Sequence, residues 1–466
     1  MVKTRFAPSP TGFIHVGNLR TAIFTYLIAK QQGGHFALRI EDTDQGRLVD
    51  GALDAIKNTL TACGLLWNEG PDVGGPDGPY IQSQRLPIYQ QHAHQLVESK
   101  RAYRCYCDEA RLDSLRELAQ ANKETFIYDQ HCLTLSDETR AKYEREQTPY
   151  VIRQLTPSTG STSFTCEVYG PITIENDQIE DQILLKSDGY PTYNFANVVD
   201  DHLMHISHVV RGNEYLTSTP KYTLLYQAFG WEEPRYIHLP LVVKADGKKL
   251  SKRDGDAYFS DFFNKGYLPA AMVNYLSLLG WAPPTNQEIY SLPQLVDAFD
   301  VSRINTSPAV FDVAKLNWVN AQWIKALPEA EYLELVLPFI HADVQIHTKR
   351  QLASLFQERL DYLAQISDHI EQFYHPTPDA ETLEYMNASD HSVVLHAFAR
   401  AVEPLEDFSP PAIKQLITDV GVACSIKGKD LFMPIRIQTT GVMHGPDLPR
   451  SLAILGKTEV LRRLNG

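Results

Sequence analysis

Arg5-Phe6-Ala7-Pro8-Ser9-Pro10-Thr11-Gly12-Phe13-Ile14-His15-Val16-Gly17-Asn18 is the stretch on which the fold turns. Just before and into it, Val2, Thr4 and Phe6 alternate with Lys3 and Arg5, the period-two pattern of a short strand. Pro8 and Pro10 end that strand. Residues 12–17 predict a turn. Leu19, Ile23, Tyr26, Leu27 and Lys30 then recur at helical spacing until Gly33-Gly34 stops them. A second strand is expected over 35–40 and a second helix over 49–60. Strand, helix, strand, helix implies a parallel sheet with right-handed crossovers. The turn itself carries chemistry. A helix N-terminus offers free N–H groups and the positive end of the helix dipole, which suits phosphate. Gly17 lets a ligand approach the backbone, and His15 can donate to a phosphoryl oxygen as charge develops. The plainer alternative is a turn with a surface histidine.

A second cluster is Asp246-Gly247-Lys248-Lys249-Leu250-Ser251-Lys252-Arg253-Asp254-Gly255. Its cations suit a transferring phosphoryl group and a departing pyrophosphate. Taken alone, such a run is more often a solvated basic loop.

The rest of the chain bounds the reading. At 466 residues, 43% apolar and 21% charged, it has the composition of a globular protein of about three domains. The most apolar stretch, 270–282, is short and interrupted by Asn274 and Ser277, so it reads as a core helix and no membrane span is expected. The N-terminus carries no apolar signal region, and six cysteines make no disulfide scaffold, so a cytoplasmic, reducing setting is expected. A net charge of −14 argues against broad nonspecific nucleic-acid binding. Residues 425–466, however, set seven Lys and Arg against three acids, a local basic surface that suits a docked polyanion.

Residues 81–189 hold four of the six cysteines and look inserted. Buried-strand patterns return at 206–210 and 239–243. From about 256 the chain reads as helical, and Pro376, Pro378, Pro410 and Pro411 break the last part into short helices.

Together the two clusters resemble the signatures of class I aminoacyl-tRNA synthetases. The His-x-Gly-His signature appears as His15-Val16-Gly17-Asn18 and the Lys-Met-Ser-Lys-Ser signature as Lys249-Leu250-Ser251-Lys252-Arg253. Asn18 and Arg253 depart from the general pattern but are usual in the glutamate and glutamine branch. Ile40-Glu41-Asp42-Thr43-Asp44, Pro191-Thr192-Tyr193, Asn197-Val198-Val199-Asp200-Asp201-His202 and Val210-Arg211-Gly212-Asn213-Glu214 look like the bacterial glutamyl-tRNA synthetase family, as do Gly428-Lys429-Asp430-Leu431-Phe432-Met433-Pro434 and His444-Gly445-Pro446. The resemblance covers essentially the whole chain. One departure is Tyr215, where many relatives carry Trp.

The resemblance implies a split Rossmann-like parallel α/β sheet with an inserted α+β domain. A stem-contact region and an all-α anticodon-binding region follow. The boundaries expected are 1–80 and 190–255 for the catalytic halves, 81–189 for the acceptor-binding insertion, 256–320 for the stem-contact region and 321–466 for the anticodon-binding region. It implies that glutamate is activated with ATP and Mg²⁺ to glutamyl-adenylate and then passed to the terminal adenosine of tRNA, that for glutamate or also that for glutamine. A monomer is expected. His15, Lys249 and Lys252 are the expected catalytic residues, and His15, Gly17, Asn18, Ser251 and Lys252 the ATP contacts. Arg5, Ser9, Glu41, Tyr193, Asn197 and Arg211 are expected around glutamate: the arginines for its carboxylates, Glu41 for its ammonium.

Cys105, Cys107 and Cys132 form a further set that, with a phenol or imidazole, can complete a tetrahedral Zn²⁺ site. By resemblance Tyr128 is the fourth ligand and His131 the spare, and the metal is structural. A metal-free insertion with buried thiols is the alternative. Cys63, Cys166 and Cys424 read as core residues. Three other functions remain open from sequence: a tRNA-modifying relative, a carboxylate-activating enzyme with a small acceptor, and a noncatalytic tRNA-binding module.

Overall fold

A computed structural model of the chain describes residues 1–124, 126–248, 250, 257–341 and 343–465. The chain divides into two compact units, one of residues 1–261 and 272–312, the other of residues 262–271 and 313–466.

The first unit is built on a six-stranded sheet. Its strands are β1 (Lys3–Phe6), β2 (His35–Leu38), β5 (Ser161–Cys166), β6 (Gly170–Glu175), β8 (His208–Gly212) and β9 (Arg235–Leu239), in spatial order β2-β1-β8-β9-β5-β6. All pairs are parallel except the β5–β6 hairpin. Helix α1 (Val16–Gln31) crosses from β1 to β2 and is buried on most sides, as a helix laid on a parallel sheet must be. Gly33 ends it at φ 60°, and Gly34 passes so close to β1 that a Cβ would stand 2.2 Å from the Val2 carbonyl oxygen. Helix α2 (Ala52–Ala62) follows β2. The order reverses between β1 and β8, the switch point at which such sheets open a crevice at their carboxyl ends.

Two details differ from the sequence pattern. The buried strand expected over 239–243 is split: β9, Arg235–Leu239, ends before Pro240, which has no N–H to continue the ladder, and Val242–Val243 form a separate short strand paired in parallel with Ala309–Val310. The hairpin β5–β6 lies within the segment that looks inserted, yet it extends the main sheet: Cys166 pairs with Tyr236. β5 alternates exposed and buried residues strictly, the pattern of a strand with one face buried and the other in solvent.

A second, antiparallel sheet is formed by β3 (Ala102–Cys105), β4 (Val151–Gln154) and β7 (Ile183–Leu185). Helices α3 (Leu86–Glu98), α6 (Tyr193–Leu203) and α7 (Thr219–Phe229) pack with it around Tyr89, Leu96, Ile152, Phe195 and Leu225, all fully buried. Between β3 and β4 lie the polar helices α4 (Glu109–Ala121) and α5 (Asp137–Arg145).

The second unit is helical. Leu352 and Leu355 lie in the helix Ile346–Phe356, whereas Leu360 and Leu363 follow its end; all four are buried. Pro376 and Pro378 separate the helices Gln365–Tyr374 and Ala380–Ala388, and Pro410 opens the helix Pro410–Cys424. Phe398, Ile417, Ile435, Leu452 and Val460 form the centre of its core.

Buried charge ties the first unit together. Asp201 on α6 accepts from Arg5 Nε and Nη2 (2.9 and 3.2 Å) and from Arg39 Nη1 (2.7 Å). Asp200 accepts from Arg85 Nε (2.8 Å), Gln82 (2.9 Å) and Tyr89 Oη (2.7 Å). Burial pushes the Asp201 carboxyl up, but Arg5 and Arg39 outweigh it and hold the group below the usual carboxylate range. Its stabilising contribution is therefore fully present above the unfolded value and is lost as pH falls below about 4. Replacing Asp201 by Asn leaves two buried guanidinium groups short of a counter-charge. Asp201→Asn is expected to lower stability by about 3–5 kcal/mol in urea denaturation at neutral pH.

Candidate active site

The carboxyl ends of β1, β8 and β9 and the first turn of α1 open onto a cleft of about 290 Å³. His15 caps α1 with extended backbone, and its Nδ1 accepts from Gly17 N–H at 3.1 Å. A Cβ on Gly17 would crowd that ring at 3.3 Å. The Val16 N–H donates to the Ala257 carbonyl (2.9 Å), and Phe259 N–H to Ile14 O (3.0 Å). Leu250 lines the cleft. Lys249, Ser251 and Lys252 lie outside the described residues.

The cleft brings together Arg5, Ser9, His15, Gly17, Asn18, Glu41, Tyr193 and Arg211. Asn197 is not on its wall; it is buried, and its side-chain amide donates to the Tyr193 carbonyl one turn earlier on α6 (2.9 Å). Arg5 gives Nε and Nη2 to Asp201, so two of its donors belong to the fold. Glu41 accepts from Arg39 at 3.0 Å. Burial outweighs its cation neighbours and pushes its carboxyl up, so an arriving ammonium would find an under-compensated acceptor.

Arg211 differs from Arg5. No carboxylate stands within 4.0 Å of it among the described residues. Its guanidinium lies over the Tyr222 ring at 4.4 Å, with Tyr215 at 5.4 Å and Tyr236 at 5.5 Å. Tyr215 also faces Tyr193 at 5.8 Å between ring centres. Gly212 makes room for the next residues: a Cβ there would stand 2.0 Å from the Glu214 carboxylate. Arg20, also on the wall, donates to the carbonyls of Leu279 (3.2 Å) and Pro240, and burial lowers it to about 10.

Among the groups that hold this site in place, Arg39 and Arg85 have no role in the sequence reading, and Asp200 and Asp201 stand there only within a family motif. Arg39, Arg85 and Asp200–Asp201 are invisible to periodicity, because their partners are far away in the chain. The available signal was two adjacent acids directly after the apolar pair Val198-Val199 in Asn197-Val198-Val199-Asp200-Asp201, where buried charge must find a partner.

The thiol cluster is a separate site. Cys105, Cys107 and Cys132 place their Sγ atoms within 4.8 Å of one another. Tyr128 Oη stands 3.4 Å from Cys105 Sγ and 3.2 Å from Cys107 Sγ. Tyr128 is buried, whereas His131 is exposed. Hydrogen bonding from Cys132 and Tyr128 lowers the Cys105 thiol against the effect of burial. Arg111 Nη1 approaches Cys107 Sγ at 3.6 Å, and Arg153 lies over the Tyr128 ring at 4.2 Å, so cations flank the thiols. Cys63 and Cys166 are buried and Cys424 half-buried; burial pushes Cys63 up to about 12.

Among the described residues no helix is long and apolar enough to cross a membrane. Residues 1–318 match the family described as "tRNA synthetases class I (E and Q), catalytic domain", and residues 331–466 match "Anticodon binding domain". The chain is 48% identical to a protein of Clostridium novyi named glutamate–tRNA ligase, over 99% of this chain and 96% of that one. Among solved structures, a glutamate tRNA ligase from Elizabethkingia meningosepticum in complex with its amino acid aligns with a TM-score of 0.89 at 33% identity, covering 100% and 98% of the two chains. A glutamate-tRNA synthetase from Elizabethkingia anophelis aligns with a TM-score of 0.91 at 33% identity, covering 100% and 99%. With the parallel sheet, the capped α1 turn and the cleft between them, these matches establish that the chain belongs to the glutamate and glutamine branch of the class I aminoacyl-tRNA synthetases.

Proposed function

We propose that this chain is a glutamate–tRNA ligase: it joins L-glutamate to the α-phosphate of ATP, releases pyrophosphate, and passes the glutamyl group to the 3′-terminal adenosine of tRNA. The observation that carries this reading is one cleft in which Arg5, Glu41, Tyr193 and Arg211 stand beside the capped N-terminus of α1. A dicarboxylic amino acid needs cations for its carboxylates and an acceptor for its ammonium; Arg211 and the remaining nitrogen of Arg5 serve the first, Glu41 the second. Ser9, Tyr193 and Asn197 complete the glutamate set, Asn197 by shaping the Tyr193 turn.

Mg²⁺ would accompany ATP as part of the substrate and help neutralise its phosphates. His15, Gly17 and Asn18 at the helix start take the phosphates, and Ser251, Lys252 and Lys249 meet them from the basic loop. Leu250 on the cleft wall and Ala257 bonded to Val16 support that assignment, since Leu250 stands within the basic stretch in sequence and Ala257 just beyond it. Adenylation needs the carboxylate held in line with the α-phosphate while charge grows on phosphoryl oxygens. Positioning and electrostatic stabilisation supply the rate, and no protein nucleophile is required.

The domain assignment follows the same reading: catalytic halves at 1–80 and 190–255, an acceptor-binding insertion at 81–189, a stem-contact region at 256–320 and an anticodon-binding region at 321–466. The protein acts as a cytoplasmic monomer. The thiol cluster fits a structural Zn²⁺. Tetrahedral zinc on thiolates sets sulfurs about 3.8 Å apart, and Cys107 and Cys132 stand 3.6 Å apart. Cys105, Cys107, Cys132 and Tyr128 would hold the ion, and it would cross-link the insertion without taking part in the reaction.

Three outcomes are expected. The purified chain charges tRNA with glutamate and not with aspartate; failure of folded protein to do so contradicts the assignment. Lys252→Ala lowers the adenylation rate by about 100-fold or more while the KM for glutamate stays within about threefold; unchanged turnover removes Lys252 from its role. Elemental analysis of protein purified without chelator finds about one zinc per chain, and Cys132→Ser loses it.

A further inference from the structure

Arg211 on β8 and His238 on β9 are register partners in adjacent parallel strands, so their side chains share one face of the sheet. His238 is fully buried. Arg211 Nε lies 3.4 Å from His238 Nε2, and Arg211 Nη2 lies 3.3 Å from Thr219 Oγ1. The Thr219 hydroxyl donates to the Tyr215 carbonyl (2.8 Å), which leaves its lone pairs for Arg211. On the far side of the imidazole, His238 Nδ1 lies 3.3 Å from Cys166 Sγ on β5.

His238 Nε2 also lies 3.2 Å from Thr219 Oγ1, whose proton goes to the Tyr215 carbonyl; a guanidinium has donors only, so with Nε2 accepting from Arg211 the ring proton sits on Nδ1, directed at Cys166. Burial, and then the Arg211 cation, push His238 down to about 3, so the ring is neutral at any working pH. The arrangement fixes Arg211 without neutralising it. Arg5 and Arg39 are held by the charged Asp201, whereas Arg211 is held by a neutral ring, a hydroxyl and aromatic faces. Among the described residues its Nη1 has no hydrogen-bond partner.

We infer that His238 is a positioning residue for glutamate binding: its Nε2 anchors the Nε edge of Arg211 so that an uncompensated guanidinium is presented to a carboxylate of the amino acid, and Cys166 Sγ accepts from the Nδ1–H that this tautomer leaves on the far side of the ring. The inference rests on the reading of Arg211 as a glutamate-site cation. It adds a three-residue chain, Cys166–His238–Arg211, that runs from the edge hairpin through the sheet to the cleft. A carboxylate in the place of His238 would hold Arg211 equally firmly and cancel the charge that the substrate needs.

The test compares two amides of similar polarity in the full chain. Gln in place of His238 reaches the Nε2 position with an acceptor, whereas Asn reaches only the Nδ1 position. With KM for glutamate and for ATP measured separately in tRNA charging, His238→Asn is expected to raise the glutamate KM about tenfold with the ATP KM within about twofold, and His238→Gln to stay within about threefold of the parent. In an Arg211→Lys background, which has no Nε edge to anchor, His238→Asn adds no further rise. Equal effects of Asn and Gln, a rise shared by both KM values, or additivity with Arg211→Lys overturns the inference. If His238→Asn does not fold, judged by its melting curve, Cys166→Ala takes its place. It is expected to raise the glutamate KM about threefold and leave that for ATP unchanged; no change overturns the inference. An Arg211→Lys variant with unaltered glutamate KM overturns the reading of Arg211 itself, whereas a raised KM there with an inert His238→Asn overturns only the role of His238.

Discussion

The pair Asp200–Asp201 is the constraint on which the first unit depends. Two adjacent carboxylates, both buried, sit in α6 where an isolated charge would cost several kcal/mol. They are tolerated because three guanidinium groups converge on them: Arg5 from the end of β1, Arg39 from just beyond β2, and Arg85 from the turn into α3. Each pairing joins segments more than a hundred residues apart, so the network fixes the two strands, α6 and α3 in one arrangement. It also fixes the cleft. Arg5 can face a substrate only because Asp201 holds its other edge, and Glu41 keeps its position through Arg39, which Asp201 also binds.

The cleft thus uses two ways of holding a cation. Where structure must be secured, the partner is a carboxylate and the charge is spent within the fold. At Arg211 the partners are His238, Thr219 and tyrosine rings, and the charge remains available. A site that binds an anionic side chain in competition with neutral and cationic amino acids needs the second kind. The first kind supplies the rigidity that keeps it in register.

Much of the fold was legible in the sequence because it is written in local signals. The alternation at 2–6, the prolines after it, the helical spacing from Leu19 and the Gly33–Gly34 stop correspond to β1, α1 and β2 within a few residues. The CxC pair and Cys132 were legible as a cluster because thiols are few in this chain. What was not legible depends on distant partners. The β5–β6 hairpin reads as part of an insertion, since nothing local says that Cys166 will pair with Tyr236. Asp201 and Arg39, 162 positions apart, carry no mark of their pairing. The end of β9 at Leu239 was within reach, because Pro240 announces it. For the candidate site the sequence reading named residue types suited to the ligand, but not which of their donors the fold had already taken, as with Arg5 and Asn197.

The most direct test of the account is glutamate-dependent exchange of pyrophosphate into ATP, run with and without unfractionated tRNA. The account predicts exchange that requires glutamate and appears once tRNA is added, because reversible adenylation is the first half of the reaction assigned to the cleft. Folded protein that shows no exchange under either condition would contradict it and leave a tRNA-binding module without catalysis.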